Sequence, residues 1–165
     1  RGVHPRGEGA SFLASAWEAS RSCWRNRVES TLFMIKPDAV RARKIGLILA
    51  EVEKAGFEIA AMRMVRLTPE KARRFYAVHE GKPFLNDLVS FMSSGPAVPC
   101  LLRRENAILG LRELIGATDP KEAKAGTIRA LYAESKQNNA VHASDSPESA
   151  ATEIPFFFDA VGAAR

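Results

Sequence analysis

The apolar positions of the chain change period several times, and each change predicts an element. Thr31-Leu32-Phe33-Met34-Ile35 is a nearly unbroken apolar run halted by Pro37, the pattern of a buried strand. Val40 to Ala55 then places Ile45, Ile48, Leu49 and Val52 on one helical face and closes at Gly56, a favoured residue just past a helix end. From Phe57 to Leu67 the apolar residues Phe57, Ile59, Met62 and Met64 alternate loosely, which predicts a second strand. Thr68-Pro69-Glu70 joins an N-cap hydroxyl, a proline at the first helical position and an early acid, so a helix starts there and runs to about Val78.

Gly81-Lys82-Pro83 breaks that helix, and Leu85, Leu88, Val89 and Met92 continue at helical spacing over Phe84 to Met92, making a helical hairpin. Ala97 to Leu102 predicts the third strand, Glu105 to Ile115 a further helix, and Gly116 to Pro120 a break. Residues 119 to 141, rich in Lys, Ala, Gly, Asn and Gln, carry only short helical pieces and predict a long surface excursion of the kind that often bears function. Ser146-Pro147-Glu148 repeats the cap-and-proline start and opens a last helix to about Phe157. Ala140-Val141 is too short to establish a fourth strand alone. The order matches an α+β, ferredoxin-like split βαβ sandwich: a four-stranded antiparallel sheet covered by helices. Here it carries an inserted helical hairpin and a long loop before His142.

Composition narrows this picture without changing it. The chain has 165 residues, enough to bury a core without disulfides or metals, and no segment approaches the roughly 20 apolar residues needed to span a bilayer. Cys23 and Cys100 are too far apart in sequence to suggest a zinc or disulfide framework, and a reducing, cytoplasmic compartment is the simpler expectation. The net charge of +5 is uneven. Residues 1–27 hold five Arg against two Glu, show no sustained period, and are read as an N-terminal extension, disordered or foreign to the domain at 28–165. With no run of five or more like charges, the sequence argues against a nucleic-acid partner.

His142 sits in Asn139-Ala140-Val141-His142-Ala143-Ser144-Asp145-Ser146, among hydroxyls and an acid. An imidazole becomes a nucleophile when one nitrogen is free and the other donates its N–H to an acceptor that fixes the tautomer. Candidate acceptors are Asp145, Ser144 and a carboxylate returning on the last helix such as Glu153. Lys36 at the end of the first strand, with Arg112, Thr118, Thr127 and Arg129 beside the long excursion, suits an anionic ligand. No Walker A or Gly-rich phosphate loop is present, so phosphate would be held by side chains. Solvated cations at element ends remain the plainer alternative for each of these residues taken alone.

The segments IKPDAV, FYAVHEGKPF, SGP, RELIGATDP, GTIR and NAVHASDS occur in this order, and together they closely resemble a nucleoside diphosphate kinase over about residues 29 to 158. The resemblance implies ping-pong transfer of the γ-phosphoryl group from a nucleoside triphosphate to a nucleoside diphosphate through phospho-His142, which balances nucleotide pools. It implies Glu153 as the group that orients the imidazole and Ser144 as its support. Lys36, Tyr76, Arg112, Thr118 and Arg129 match the phosphate-side residues, Asn139 the ligand of the sugar hydroxyl, and Phe84 the aromatic on which the base stacks. Stacking reads a π-face, so broad base specificity is expected. Mg2+ is implied as a companion of the nucleotide phosphates with no direct protein ligand, and Asp145 has at most a water-mediated contact near it. The short tail after Phe156-Phe157-Phe158 resembles bacterial members, and a homo-oligomer, tetramer or hexamer, is implied. Ala143 departs from the family's usual Gly, a change that matters only if the backbone there needs positive φ or the nucleotide approaches closely. The competing reading is a non-catalytic module on the same fold that binds nucleotides or, through its Arg-rich extension, nucleic acid.

Overall fold

In a computed structural model of the chain, residues 28–158 are described; the expected extension at 1–27 and the last seven residues of the expected domain lie outside them. The apolar run around Phe33 forms the strand β1 (Val28–Ile35), whose residues Leu32, Phe33, Met34 and Ile35 are all fully buried. β1 pairs antiparallel with β4 (Pro96–Glu105) on one side and β5 (Val141–Ala143) on the other, and β2 (Glu58–Met62) pairs with the far edge of β4. The sheet order is β2-β4-β1-β5, with the two-residue β3 (Val65–Arg66) also on β4. A four-stranded path is thus extended by a fifth strand.

That fifth strand exists because the single strand expected over Phe57 to Leu67 is interrupted. A bulge falls between Ile59 and Ala61, and pairing stops after Met62 opposite Cys100, resuming at Val65 opposite Ala97. Pro99 lies opposite the gap; its carbonyl accepts from the Arg63 N–H at 3.2 Å, but it has no N–H to return. The expected helix Val40 to Ala55 also divides, into α1 (Pro37–Arg41) and α2 (Ile45–Lys54). Arg43 stands between them at φ 59°, left-handed backbone that no helix continues through.

The capping predictions hold in detail. Thr68 accepts from the Lys71 N–H at the start of α3 (Pro69–Phe75), and Ser146 accepts from the Ser149 N–H at the start of α7 (Pro147–Phe157). The first of these helices ends earlier than expected, at Phe75, and a 3-10 turn at Ala77–His79 carries the chain on to α4 (Leu85–Ser93). α5 (Ala107–Ile115) follows β4, and a short α6 (Ile128–Tyr132) is the one helical piece of the long excursion.

The two faces of the sheet bury different sets of helices, because successive strand side chains point to opposite sides. Phe33, Ile35, Val98, Cys100 and Leu102 pack with α2, α5 and α6 through Ile48, Val52, Leu111, Ile115 and Ile128. Leu32, Met34 and Leu101 pack on the other face with α3, α4 and α7 through Ala72, Val89, Met92 and Phe157. Val141 and Ala143 belong to the first face, so the strand period turns His142 between them onto the second.

Candidate active site

β5 is short, but its register is set on both sides of His142: Phe33 pairs with Ala143, Met34 with His142 and Ile35 with Val141. α7 then returns over the same face and brings Glu153 to the imidazole, with Nε2 3.0 Å from the Glu153 Oε2. The Ser144 hydroxyl donates to the same oxygen at 2.6 Å and accepts from the Leu32 N–H at 3.3 Å, so a fully buried serine fixes the carboxylate against β1. An ionised carboxylate only accepts, which assigns the proton to Nε2 and leaves the Nδ1 lone pair free. Phe75 and Tyr76 stand edge-on to the ring at centroid distances of 5.4 and 6.0 Å and limit its rotation.

A second cluster adjoins this one. Lys36 directly follows β1 and is buried, and its ammonium donates to the Asn139 Oδ1 at 2.8 Å. Arg129 on α6 is buried too, donating to the carbonyls of Gly116 at 3.1 Å and Val141 at 3.0 Å. Burial, then the Arg129 charge, lowers Lys36 to about 8 from its ordinary 10.5, with Asp38 partly restoring it. Burial, then Arg112, lowers Arg129 to about 10. Arg112 also acts on Asp145, whose acidity is strengthened chiefly by the hydrogen bond from Ser149. Tyr76 is pushed far above its usual range by burial and by Glu153, and its buried hydroxyl has no hydrogen-bond partner. A buried donor without a partner is a position where a ligand oxygen is welcome.

The lowered Lys36 carries a stability signature. Between pH 8 and 10.5 the unfolded chain binds more protons at Lys36 than the folded one, so this group makes stability rise with pH across that window. Cys100, buried and pushed from 9.0 to about 12, acts in the opposite sense above pH 9. The expected result is a rise in denaturation midpoint from pH 8 to 9 that Lys36→Met removes, followed in a urea series; an unchanged slope in that variant would place the effect elsewhere.

The remaining residues singled out in the sequence are less closely joined. Phe84 is half exposed and reaches the cluster through His79, with centroids 5.3 Å from Phe84 to His79 and 6.1 Å from His79 to Tyr76. Arg112 borders an open cavity of about 770 Å3 lined also by Gly116, Ala117 and Thr127. Thr118 is exposed just beyond it and has no hydrogen bond among the described residues. Ala143 pairs in β5 without positive φ; the left-handed residue nearby is Ala140, at 67°. Among the described residues, no group of three or more His, Cys, Asp or Glu side chains is placed to hold a metal, and no helix is long and apolar enough to cross a membrane.

Sequence reasoning assigned no role to Asp38, Phe75 and His79. The Asp38 carboxylate accepts from the Ala140 N–H at 3.0 Å, and its only sequence signal was its place in the segment Ile-Lys-Pro-Asp. Gly116 is a second structural constraint on the site. It has φ 80°, and a Cβ there would run into the Thr127 hydroxyl. Gly116→Ala is expected to cost about 1–3 kcal/mol, from strained backbone and the clash together, read as a lower urea midpoint at unchanged m-value.

The sequence model of the nucleoside diphosphate kinase family matches residues 29–162. The chain belongs to the nucleoside diphosphate kinase family. It is 58% identical to the nucleoside diphosphate kinase of Halorhodospira halophila and 55% identical to that of Chlorobium limicola, each over 133 residues, covering 81% of this chain and 94% and 95% of those proteins. Among solved structures, the Aquifex aeolicus nucleoside diphosphate kinase superposes with a TM-score of 0.81 at 49% identity, covering 82% of this chain and 99% of that one. The halophilic enzyme of Halobacterium salinarum, solved in complex with CDP, superposes with a TM-score of 0.79 at 37% identity over 82% of this chain and 91% of that one. The activity of this kinase is phosphoryl transfer between nucleotides, and the relatives favour that over a module without turnover.

Proposed function

We propose that His142 is the group phosphorylated in this reaction and that the transfer is ping-pong. The reading is carried by one observation: the Glu153 carboxylate engages Nε2 and leaves Nδ1 without a partner among the described residues. Nδ1 attacks the γ-phosphorus of a nucleoside triphosphate, the bond to the bridging oxygen breaks, and the nucleoside diphosphate leaves with that electron pair. A second diphosphate attacks phospho-His142 by the reverse path. Glu153 stabilises the positive charge that grows on the ring as the P–N bond forms, and Ser144 keeps the carboxylate in place.

Lys36, Arg112 and Arg129 neutralise phosphate oxygens, Tyr76 and Thr118 offer hydroxyls to them, Asn139 binds the sugar, and the exposed ring of Phe84 stacks on the base. Positioning and electrostatics are most of phosphoryl-transfer catalysis, which suits a site built of fixed cations. Mg2+ would enter with the nucleotide as part of the substrate, where it would supply charge neutralisation between phosphate groups. Broad base specificity follows from stacking on Phe84. A homo-oligomer, tetramer or hexamer, is supported by the apolar side chains left exposed on α2 and at and just after the end of β2, Leu47, Met62 and Met64. A cytoplasmic location agrees with a nucleotide substrate and a free buried thiol at Cys100.

Intact-mass measurement at neutral or alkaline pH tests the reading. Magnesium and ATP should add one phosphoryl group, which disappears as GTP forms when GDP is added; a folded chain that gains no mass would overturn it. Glu153→Ala should slow this first step by about 10–100-fold without abolishing it, as expected of an orienting group. Single-turnover kinetics would show that loss in the phosphorylation rate rather than in nucleotide affinity.

A further inference from the structure

Ala140 lies at φ 67°, one of three non-glycine residues with positive φ among the described residues. It is the centre of a three-residue turn closed by the Val141 N–H, which donates to the Asn139 carbonyl at 2.8 Å. Such turns are rare and strained, and strained backbone persists only where its surroundings over-determine it. The restraining groups come from the end of β1 and the start of α1. The Lys36 N–H donates to the Ala140 carbonyl at 2.9 Å, and Asp38 accepts from the Ala140 N–H at 3.0 Å. β5 begins at the next residue, so these two bonds set the strand that carries His142. Asp38 is buried, only 8% exposed, and its second oxygen has no hydrogen-bond partner. The charged groups facing Lys36 are Asp38 from α1 and Arg129 from α6, with the neutral Asn139 ahead of β5.

We propose that Asp38 is a positioning residue for phosphoryl transfer: one carboxylate clamps the strained turn that aims His142 and, two positions from Lys36 in the chain, lends a negative charge to the surroundings of its buried ammonium. The inference rests on the reading of His142 and Lys36 as transfer groups. Asp38 reaches the reaction through both at once, by a hydrogen bond to the backbone on one side and by charge on the other.

Two variants separate these parts. Asp38→Asn keeps an oxygen for the Ala140 N–H and loses the charge, whereas Asp38→Ala loses both. Lysine 13Cε NMR follows the titration of Lys36 without any nucleotide, and quenched-flow phosphorylation by magnesium and ATP reads the transfer. In Asp38→Asn the Lys36 midpoint should fall below that of the unaltered protein. The alkaline limb of the phosphorylation rate should move down with it while the thermal midpoint stays nearly constant. Asp38→Ala should in addition slow phosphorylation at its own optimum pH by about 10²-fold, the cost of a misplaced nucleophile. An unmoved Lys36 midpoint and alkaline limb in Asp38→Asn overturn the proposal, as does Asp38→Ala phosphorylated at the original rate. If Asp38→Ala fails to fold, Asp38→Asn decides alone. An unaltered protein that gains no phosphoryl group overturns the kinase reading instead, and the Lys36 titration in the two chains still decides the role of the charge.

Discussion

His142→Ala is expected to form no phosphoryl adduct with magnesium and ATP, and to transfer phosphate to GDP on the order of 10⁴-fold or more slowly, the scale of losing an enzyme's own nucleophile. The loss should be confined to chemistry because the imidazole contributes little to the fold. Its side chain is 20% exposed, and its removal leaves the Glu153 Oε2 still bonded to the Ser144 hydroxyl, so no carboxylate is orphaned. The edge contacts with Phe75 and Tyr76 and the hydrogen bond to Glu153 are what disappear, about 1–2 kcal/mol of stability at this part-exposed position. Circular dichroism should therefore show a melting midpoint lowered by a few degrees at most. Mass addition that survives the substitution would transfer the nucleophile's role to another residue.

The site was legible in the sequence where its parts are local and illegible where they are joined across the chain. The caps at Thr68 and Ser146 act within one helical turn, and both were readable from a hydroxyl followed by proline. The pairing of His142 with Glu153 spans 11 residues and depends on β5 and α7 sharing one face of the sheet. Pattern alone left Asp145 and Ser144 as alternatives, and the family resemblance supplied the choice. Asp38 meets Ala140 from 102 positions away, and no periodicity encodes such a contact. Local breaks were equally hidden. Arg43 is a non-glycine residue in left-handed backbone, so the apolar face of Ile45, Ile48 and Val52 was projected back through it as one helix. The broken edge strand has a visible cause, Pro99, but it lies in a different strand from the one it interrupts. The break at Pro99 is a tertiary override of local pattern, whereas the turn at Arg43 is closed locally, by the Lys44 N–H on the Ala39 carbonyl at 3.0 Å; β5, at three residues, draws its definition almost wholly from pairing with β1.

Arg129→Lys is the second substitution expected to have a large effect, although it keeps the charge. The guanidinium joins two carbonyls, Gly116 at the end of α5 and Val141 at the start of β5. A lysine ammonium is a point donor and cannot span both, so one buried carbonyl loses a charge-assisted bond worth about 1.5–3 kcal/mol. The urea midpoint should fall accordingly. Catalysis should fall further than stability, because Arg129 also borders Lys36 and Arg112 and, in the function proposed above, offers phosphate oxygens the guanidinium N–H groups not spent on the two carbonyls. Losing one such donor in the transition state, about 3 kcal/mol, corresponds to about 10²-fold in kcat/KM. Arg129→Ala separates geometry from charge. It removes the cation that helps hold Lys36 down to about 8, so the alkaline limb of the residual activity should move upward, the reverse of the shift expected when Asp38 loses its charge. Arg129→Lys, with the cation retained, should lose rate and leave that limb in place. A limb that moves in the same direction for Arg129→Ala and Asp38→Asn would show that the alkaline titration does not belong to Lys36.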